Sequence, residues 1–321
     1  MRWGSQESVC SRHALPSPAL SLLVTPGVGM AQEAGLVRLA ADFKWPGVSS
    51  LIAYRGRLWF ANCVKFVNHN SADLYSYDLA TGRTRYEKHL FSQDAGDPVV
   101  ADGVLYWRFE DSRFSPGHGE FMATNGKGWV WRATPVGQAF HTHSMIQAGT
   151  KMRRTLYGAI SAWKGGIVAS DDRGRSWRHL YEYPTHDGNV SRFTALASLN
   201  GTLFAGITTW YDDAKPKLLR RDGKVMGVMR GWPAGNVVRT MTTHRGWVYA
   251  TNESGKATTL MRTDDERVEP VSGIEGTVEA FHSDGTYLWA VTVGRRSGML
   301  WRSRDGASWK QIHKFDQGRP T

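Results

Sequence analysis

The chain has 321 residues, 41% of them hydrophobic, and lacks any apolar run long enough for a helical membrane span, so it can bury a core without entering a bilayer as a helix. Its 40 Lys and Arg against 29 Asp and Glu leave a formal charge of +11, which favours anionic partners, yet the basic residues are scattered and form no arm or module for nucleic acid. Only Cys10 and Cys63 are present and no Cys/His ligand cluster occurs, which excludes a disulfide scaffold and a structural zinc site.

At the N-terminus, Arg2, Arg12 and His13 precede an apolar stretch over residues 14–28, and Gly29-Met30-Ala31 offers small residues where a signal peptidase reads. The pattern predicts a signal peptide over residues 1–31 and a periplasmic or secreted protein. Pro16, Pro18, Pro26 and Glu7 fit such a leader poorly, and the alternative is a cytoplasmic protein whose translation starts at Met30.

From there the chain repeats one unit. Six hairpin segments begin at Leu51, Pro98, Ser144, Thr194, Thr240 and Glu279. Each alternates small and apolar residues, turns, and returns as an aromatic-rich strand. Gly56, Gly103, Gly201, Gly246 and Gly285 mark five of the turns, and the third hairpin turns near Lys151. A second landmark follows each hairpin, a strand ending in an Asp or Asn turn at Asp78, Asn125, Asp172, Asp222, Asp264 and Asp305. Two landmarks with one period of 40–50 residues predict four short strands per unit. The expected fold is all-β, a six-bladed β-propeller of four-stranded antiparallel blades. It occupies residues 32–321 as a single domain, with blades starting near 46, 94, 141, 190, 236 and 276. Radial packing would bury both apolar faces of each blade. The segment LVRLAADF (residues 36–43) is expected to close the ring against the last blade.

SDDRGRSW (residues 170–177) and SRDGASW (residues 303–309) resemble the Asp-box, or bacterial neuraminidase repeat, of sialidase-like propellers. The resemblance implies that the Asp accepts backbone N–H groups of the turn, the Gly takes a positive φ and the Trp packs on the blade. It also implies that Asp172 and Asp305 are structural and lie on the rim away from the ligand. The Phe/Tyr-Arg-Ile-Pro segment expected of a true sialidase is absent, so the resemblance speaks for the fold and not for sialidase chemistry.

Propellers bind ligands at the mouth of the central channel. That face is built from the segments entering each first strand and from the loops between second and third strands. Candidate catalytic residues there are His143, His141, Tyr211 and Glu110. Candidate substrate-binding residues are Lys65, Asn70, Asp97, Arg108, Arg113, Trp163, Arg192, Trp210 and Arg239. Aromatic planes suit pyranose faces, and Arg forks suit hydroxyls and carboxylates. His141 and His143 at i and i+2 of an extended segment point to the same side. They could supply a general base, two metal ligands, or merely a structural hydrogen bond. Arg192 and Arg239 close the similar segments GNVSR and GNVVR and are read as equivalent positions.

The expected partner is an anionic oligo- or polysaccharide, bound by a monomer. No cofactor is expected, a metal at His141 and His143 being the single candidate. Two function classes remain open. One is a glycan-cleaving enzyme, with a closer likeness to propeller-fold uronate lyases, where a His or Tyr base removes the C5 proton and cations neutralise the carboxylate, than to hydrolases that need paired carboxylates. The other is a non-catalytic glycan-binding or assembly-scaffold propeller.

Overall fold

The computed structural model describes residues 22–23, 36–37, 43, 45, 47–63, 71–92, 94–110, 120–133, 141–149, 154–161, 165–183, 192–209, 215–254, 257–294 and 297–316. No α-helix occurs among them. A short pair, β1 (Leu22–Leu23) and β2 (Leu36–Val37), precedes six blades. Blade one is β3 (Gly47–Tyr54), β4 (Arg57–Cys63), β5 (Ala72–Asp78) and β6 (Thr84–Leu90). In blade two the first strand is interrupted into β7 (Asp94–Ala95) and β8 (Val99–Ala101), followed by β9 (Val104–Glu110), β10 (Glu120–Thr124) and β11 (Trp129–Ala133). Blade three is β12 (His141–Gly149), β13 (Arg154–Ser161), β14 (Gly165–Ser170) and β15 (Arg178–Tyr183). Blade four is β16 (Arg192–Leu199), β17 (Thr202–Thr208), β18 (Leu218–Asp222) and β19 (Val225–Val228). Blade five is β20 (Met241–His244), β21 (Trp247–Ser254), β22 (Ala257–Thr263) and β23 (Val268–Pro270). Blade six is β24 (Thr277–Ser283), β25 (Leu288–Val293), β26 (Ser297–Ser303) and β27 (Trp309–Asp316).

Every blade is an antiparallel meander, and the first strands of successive blades pack against one another, β12 on β16, β16 on β20 and β20 on β24. These strands therefore surround the channel. The hairpins that start the blades are set by backbone chemistry. Arg55-Gly56, Asp102-Gly103, Asn200-Gly201 and Arg245-Gly246 all have positive φ at both residues, the type I′ turn that matches strand twist.

The apolar core lies between blades. Tyr106 and Phe121 of blade two meet Met145, Ile160 and Trp177 of blade three. Ala159 and Ile167 of blade three meet Phe193 and Ile207 of blade four. Phe204 and Leu218 of blade four meet Val248 and Met261 of blade five. A fully buried aromatic such as Phe121 contributes about 2–3 kcal/mol by leaving water.

The Asp turns staple the face opposite the channel entry. Asp172 Oδ1 accepts the backbone N–H of Arg175 and Ser176 at 3.0 and 2.9 Å, and Ser170 Oγ accepts that of Gly174 at 2.7 Å. Asp305 and Ser303 repeat the pattern with Ala307, Ser308 and Gly306. The Ser176 hydroxyl, which donates to Asp172 Oδ2, together with the turn N–H groups holds Asp172 far below the usual carboxylate range, and at Asp305 the N–H groups of Ser308 and Ala307 do so first. A tyrosine of the preceding blade reaches each turn: Tyr106 Oη donates to Arg173 O at 3.2 Å and Tyr249 Oη to Asp305 O at 3.4 Å.

The closure against the last blade expected of residues 36–43 is not seen at the described residues of that segment, 36, 37 and 43. Leu36–Val37 pairs with Leu22–Leu23, and Phe43 packs on Phe60 and Tyr75 of blade one at 5.4 and 5.1 Å. The reason is that β27 already pairs along β26 as the fourth strand of blade six, so that position is filled by the chain's own last strand. Apart from Leu22–Leu23, the leader assigned to residues 1–31 lies outside the described residues.

Candidate functional site

Alternation of strand direction places the starts of the first strands and the ends of the second strands on one face. There the six blades share a device that only the register shows. Each first strand carries one residue more than its partner near this end, a β-bulge, which re-aims a side chain. The extra residue is Ser49, His143, Thr194 and Glu279 in blades one, three, four and six. In blade two, Gly96 to Pro98 face only Trp107 and Arg108. In blade five, Val238 to Thr240 face only Thr251 and Asn252. Counting back from the hairpin turn puts the extra residue at Gly96 and Arg239.

This ring corrects one expectation. Arg192 pairs with Thr208, and the corresponding pair in blade five is Val237 with Glu253. Arg239 is therefore equivalent to Thr194, two positions further in. GNVSR and GNVVR look alike, but the distance to the hairpin fixes the register, and it offsets them by two.

Three of the bulge residues, His143, Thr194 and Arg239, bind the end of their own second strand. His143 Nε2 lies 2.8 Å from Ser161 Oγ, Thr194 Oγ1 3.1 Å from Thr208 Oγ1, and Arg239 donates twice to Glu253 at 2.9 and 3.2 Å. They also stitch blades. Ser49 Oγ donates to Ala95 O and Thr194 Oγ1 to Val238 O, each the carbonyl just before the next bulge. Gly96 has no side chain to do so. Arg108 takes its place: a Cβ at Gly96 would overlap the guanidinium, which donates to Thr142 O at 3.0 Å, again the carbonyl before a bulge.

The result is a polar cluster between blades two, three and four. The His141 and His143 rings lie 5.3 Å apart at 33°, both buried. Burial first, and then the Arg192 charge, pushes His141 down to about 3. Burial also holds His143 well below its ordinary value, with His141, Arg192 and Arg108 adding to it. Both imidazoles are therefore neutral at neutral pH. Arg108 is mostly buried and Asp97 Oδ2 stands 3.9 Å from its Nη2, while the Asp97 side chain is 87% exposed.

Of the residues expected at the mouth, His141, His143, Arg108 and Arg192 come together, with Asp97 at the edge. Arg239 belongs instead to a second group with Glu253 and, at longer range, Glu279. Glu110 pairs by its backbone with both Asp94 and His141. Its side chain, and Lys65, Asn70, Arg113, Trp163, Trp210 and Tyr211, lie outside the described residues. Ser161 and Glu253 were not singled out from sequence. Their signal was the position they share with Glu110 and Thr208 at the ends of second strands. Among the described residues no group of three or more His, Cys, Asp or Glu converges as metal ligands.

The fold and this mouth define the class of protein as a six-bladed β-propeller with a polar channel entry. No family model and no curated protein matches the sequence. Among solved structures the chain is similar to a puromycin hydrolase (TM-score 0.52, 10% identity, 85% of this chain and 54% of that one). It is likewise similar to a polysaccharide lyase, the ulvan lyase bound to -[GlcA(1-4)Rha3S]- (TM-score 0.51, 11% identity, 83% of each chain). A third similarity is to TolB from Acinetobacter baumannii (TM-score 0.51, 9% identity, 81% of this chain and 63% of that one). The chain thus spans about half of the hydrolase and under two thirds of TolB. At these identities the likeness is one of fold.

Proposed function

We propose that the mouth between blades two, three and four takes the uronate of an anionic polysaccharide and cleaves the chain by elimination. One observation carries this reading: two neutral, buried histidines within electrostatic reach of Arg108 and Arg192. The arginines would hold the uronate carboxylate and stabilise the charge that spreads onto it when the C5 proton leaves. The proton passes to a ring nitrogen of His143, a carbon–carbon double bond forms, the glycosidic C–O bond breaks, and the departing oxygen takes that proton back from His143. Burial is the larger cause that holds the imidazoles down, and the bound carboxylate would offset the smaller one, the arginine charges, raising their basicity in part when substrate is present. The similarity to a lyase bound to a glucuronate-containing glycan supports the reading. We further infer that the Asp172 and Asp305 turns are Asp-boxes of the sialidase-like kind, and that the protein is exported to meet its substrate.

The expected result is release of unsaturated uronate, read by its ultraviolet absorbance. His143→Ala should lower kcat by about 100-fold or more in protein that circular dichroism shows still folded, though with a lowered melting temperature because the side chain is buried against Ser161. Full activity in that variant removes His143 from the mechanism. A second reading, a non-catalytic glycan binder, is favoured by how weak a base His141 is before ligand arrives. Uronate binding without product on prolonged incubation decides for it.

A further inference from the structure

Blade one holds a second group of reactive side chains, apart from the histidine pair of blade three. Asp73 on β5 and His89 on β6 are direct cross-strand partners. The Asp73 carboxylate, 6% exposed, accepts the Nδ1–H of His89 at 2.6 Å. Ser71 stands two residues before Asp73, on the same side of the extended chain. Its Oγ lies 3.5 Å from His89 Nε2, the other ring nitrogen. The Phe91 ring meets the imidazole edge-on at 4.7 Å and 89°, fixing its plane. A buried carboxylate needs a donor, and His89 alone would satisfy that need. It does not call for a hydroxyl at the far nitrogen. That third member makes the order carboxylate–Nδ1, Nε2–hydroxyl, in which the acid fixes the tautomer and the ring can take the hydroxyl proton.

We propose that Ser71, His89 and Asp73 form a nucleophilic site for acyl transfer, acting on small, unhindered esters. Position and exposure argue for a small substrate. Ser71 immediately precedes β5 at the face where β4 ends, His89 is 30% exposed, and Phe91 beside it offers an apolar shoulder for an acyl group. In the first step Ser71 Oγ adds to the ester carbonyl while its proton moves to His89 Nε2. Collapse expels the alcohol, which takes that proton, and leaves acyl-Ser71. Water then gives a proton to His89 and attacks the acyl carbon. Release of the acid returns the proton to Ser71. Apo separations of this kind are often looser than in the complex, so 3.5 Å closes by a small side-chain rotation.

The test uses the full chain with p-nitrophenyl acetate as substrate and a fluorophosphonate as covalent probe, the labelled peptide being mapped. Labelling at Ser71 is expected. Ser71→Ala should abolish it, and His89→Gln should slow both labelling and ester turnover by about 100-fold with the fold intact by circular dichroism. Because Asp73 is nearly buried, Asp73→Asn is read only beside a melting curve, and His89→Gln carries the decision. No labelling of the wild-type chain, label on another serine such as Ser161, or unchanged turnover in Ser71→Ala overturns the proposal. Unsaturated uronate is a separate readout, so this site and the mouth can fail independently.

Discussion

A Gly306→Ala variant is expected to be less stable than the wild-type chain by about 3 kcal/mol or more, with the melting temperature lower by roughly 6–10 °C. Two costs combine. Gly306 has φ +72°, where an alanine is strained by about 1–2 kcal/mol. A Cβ there would also overlap the phenol of Tyr249, a side chain with no exposed surface that donates to Asp305 O. Tyr249 cannot yield without leaving the core beside blade six. Gly223 supplies the control. It follows Asp222 at the start of the corresponding turn of blade four, at φ +57° with nothing within 4 Å of an added Cβ, so Gly223→Ala should show the strain alone. Urea titrations of the two variants therefore separate backbone strain from inter-blade overlap. Equal losses would mean that the tyrosine contact contributes nothing.

That contrast shows what the sequence makes legible. The turn glycines and Asp or Asn landmarks report local backbone geometry, which a short motif encodes, so the six-bladed all-β propeller is legible in them. The bulge ring is encoded differently. It depends on the count of residues between a hairpin and the channel, and its six members, Ser49, Gly96, His143, Thr194, Arg239 and Glu279, share no chemistry. Similar letters misled where the count did not: GNVSR and GNVVR align by eye, yet register separates Arg192 from Arg239. Arg108 illustrates the same limit. Its role is set by the missing side chain of Gly96 on a neighbouring strand, a relation visible only once β7 and β9 are paired. Ser71, Asp73 and His89 escaped for a similar reason, since nothing in the spacing from 73 to 89 says that β5 and β6 pair with those two residues opposed.

The second large effect is expected in the pH dependence of stability. His141 and His143 are both neutral when folded, His141 down to about 3, whereas an unfolded histidine titrates near 6.5. Below 6.5 the unfolded chain binds protons that the native site refuses, so acid favours unfolding. The sign is thus a stability fully present above pH 6.5 and lost as pH falls, by about 1.4 kcal/mol per pH unit for each histidine. The carboxylates held low in the turns, Asp172 by the Ser176 hydroxyl and turn N–H groups and Asp305 by turn N–H groups, act in a separate window, because their unfolded value is 3.8 and their loss begins near there. Between pH 6.5 and about 4.5 the histidine pair therefore dominates. Urea unfolding across that interval should show a steep decline in the wild-type chain and a nearly flat line in a His141→Phe, His143→Asn double variant. A flat wild-type profile would mean that the pair is hydrated and not buried against Arg108 and Arg192. Added glucuronate sharpens the test. A carboxylate between the arginines offsets their charge, the smaller cause beside burial, makes protonation of the imidazoles in the folded state less unfavourable, and should shallow the decline in part. Its affinity should correspondingly rise as pH falls, with proton uptake measurable by calorimetry in buffers of different ionisation enthalpy. If the decline is present but glucuronate leaves it unchanged, the histidine pair is a buried structural element and the uronate must be sought elsewhere on the mouth.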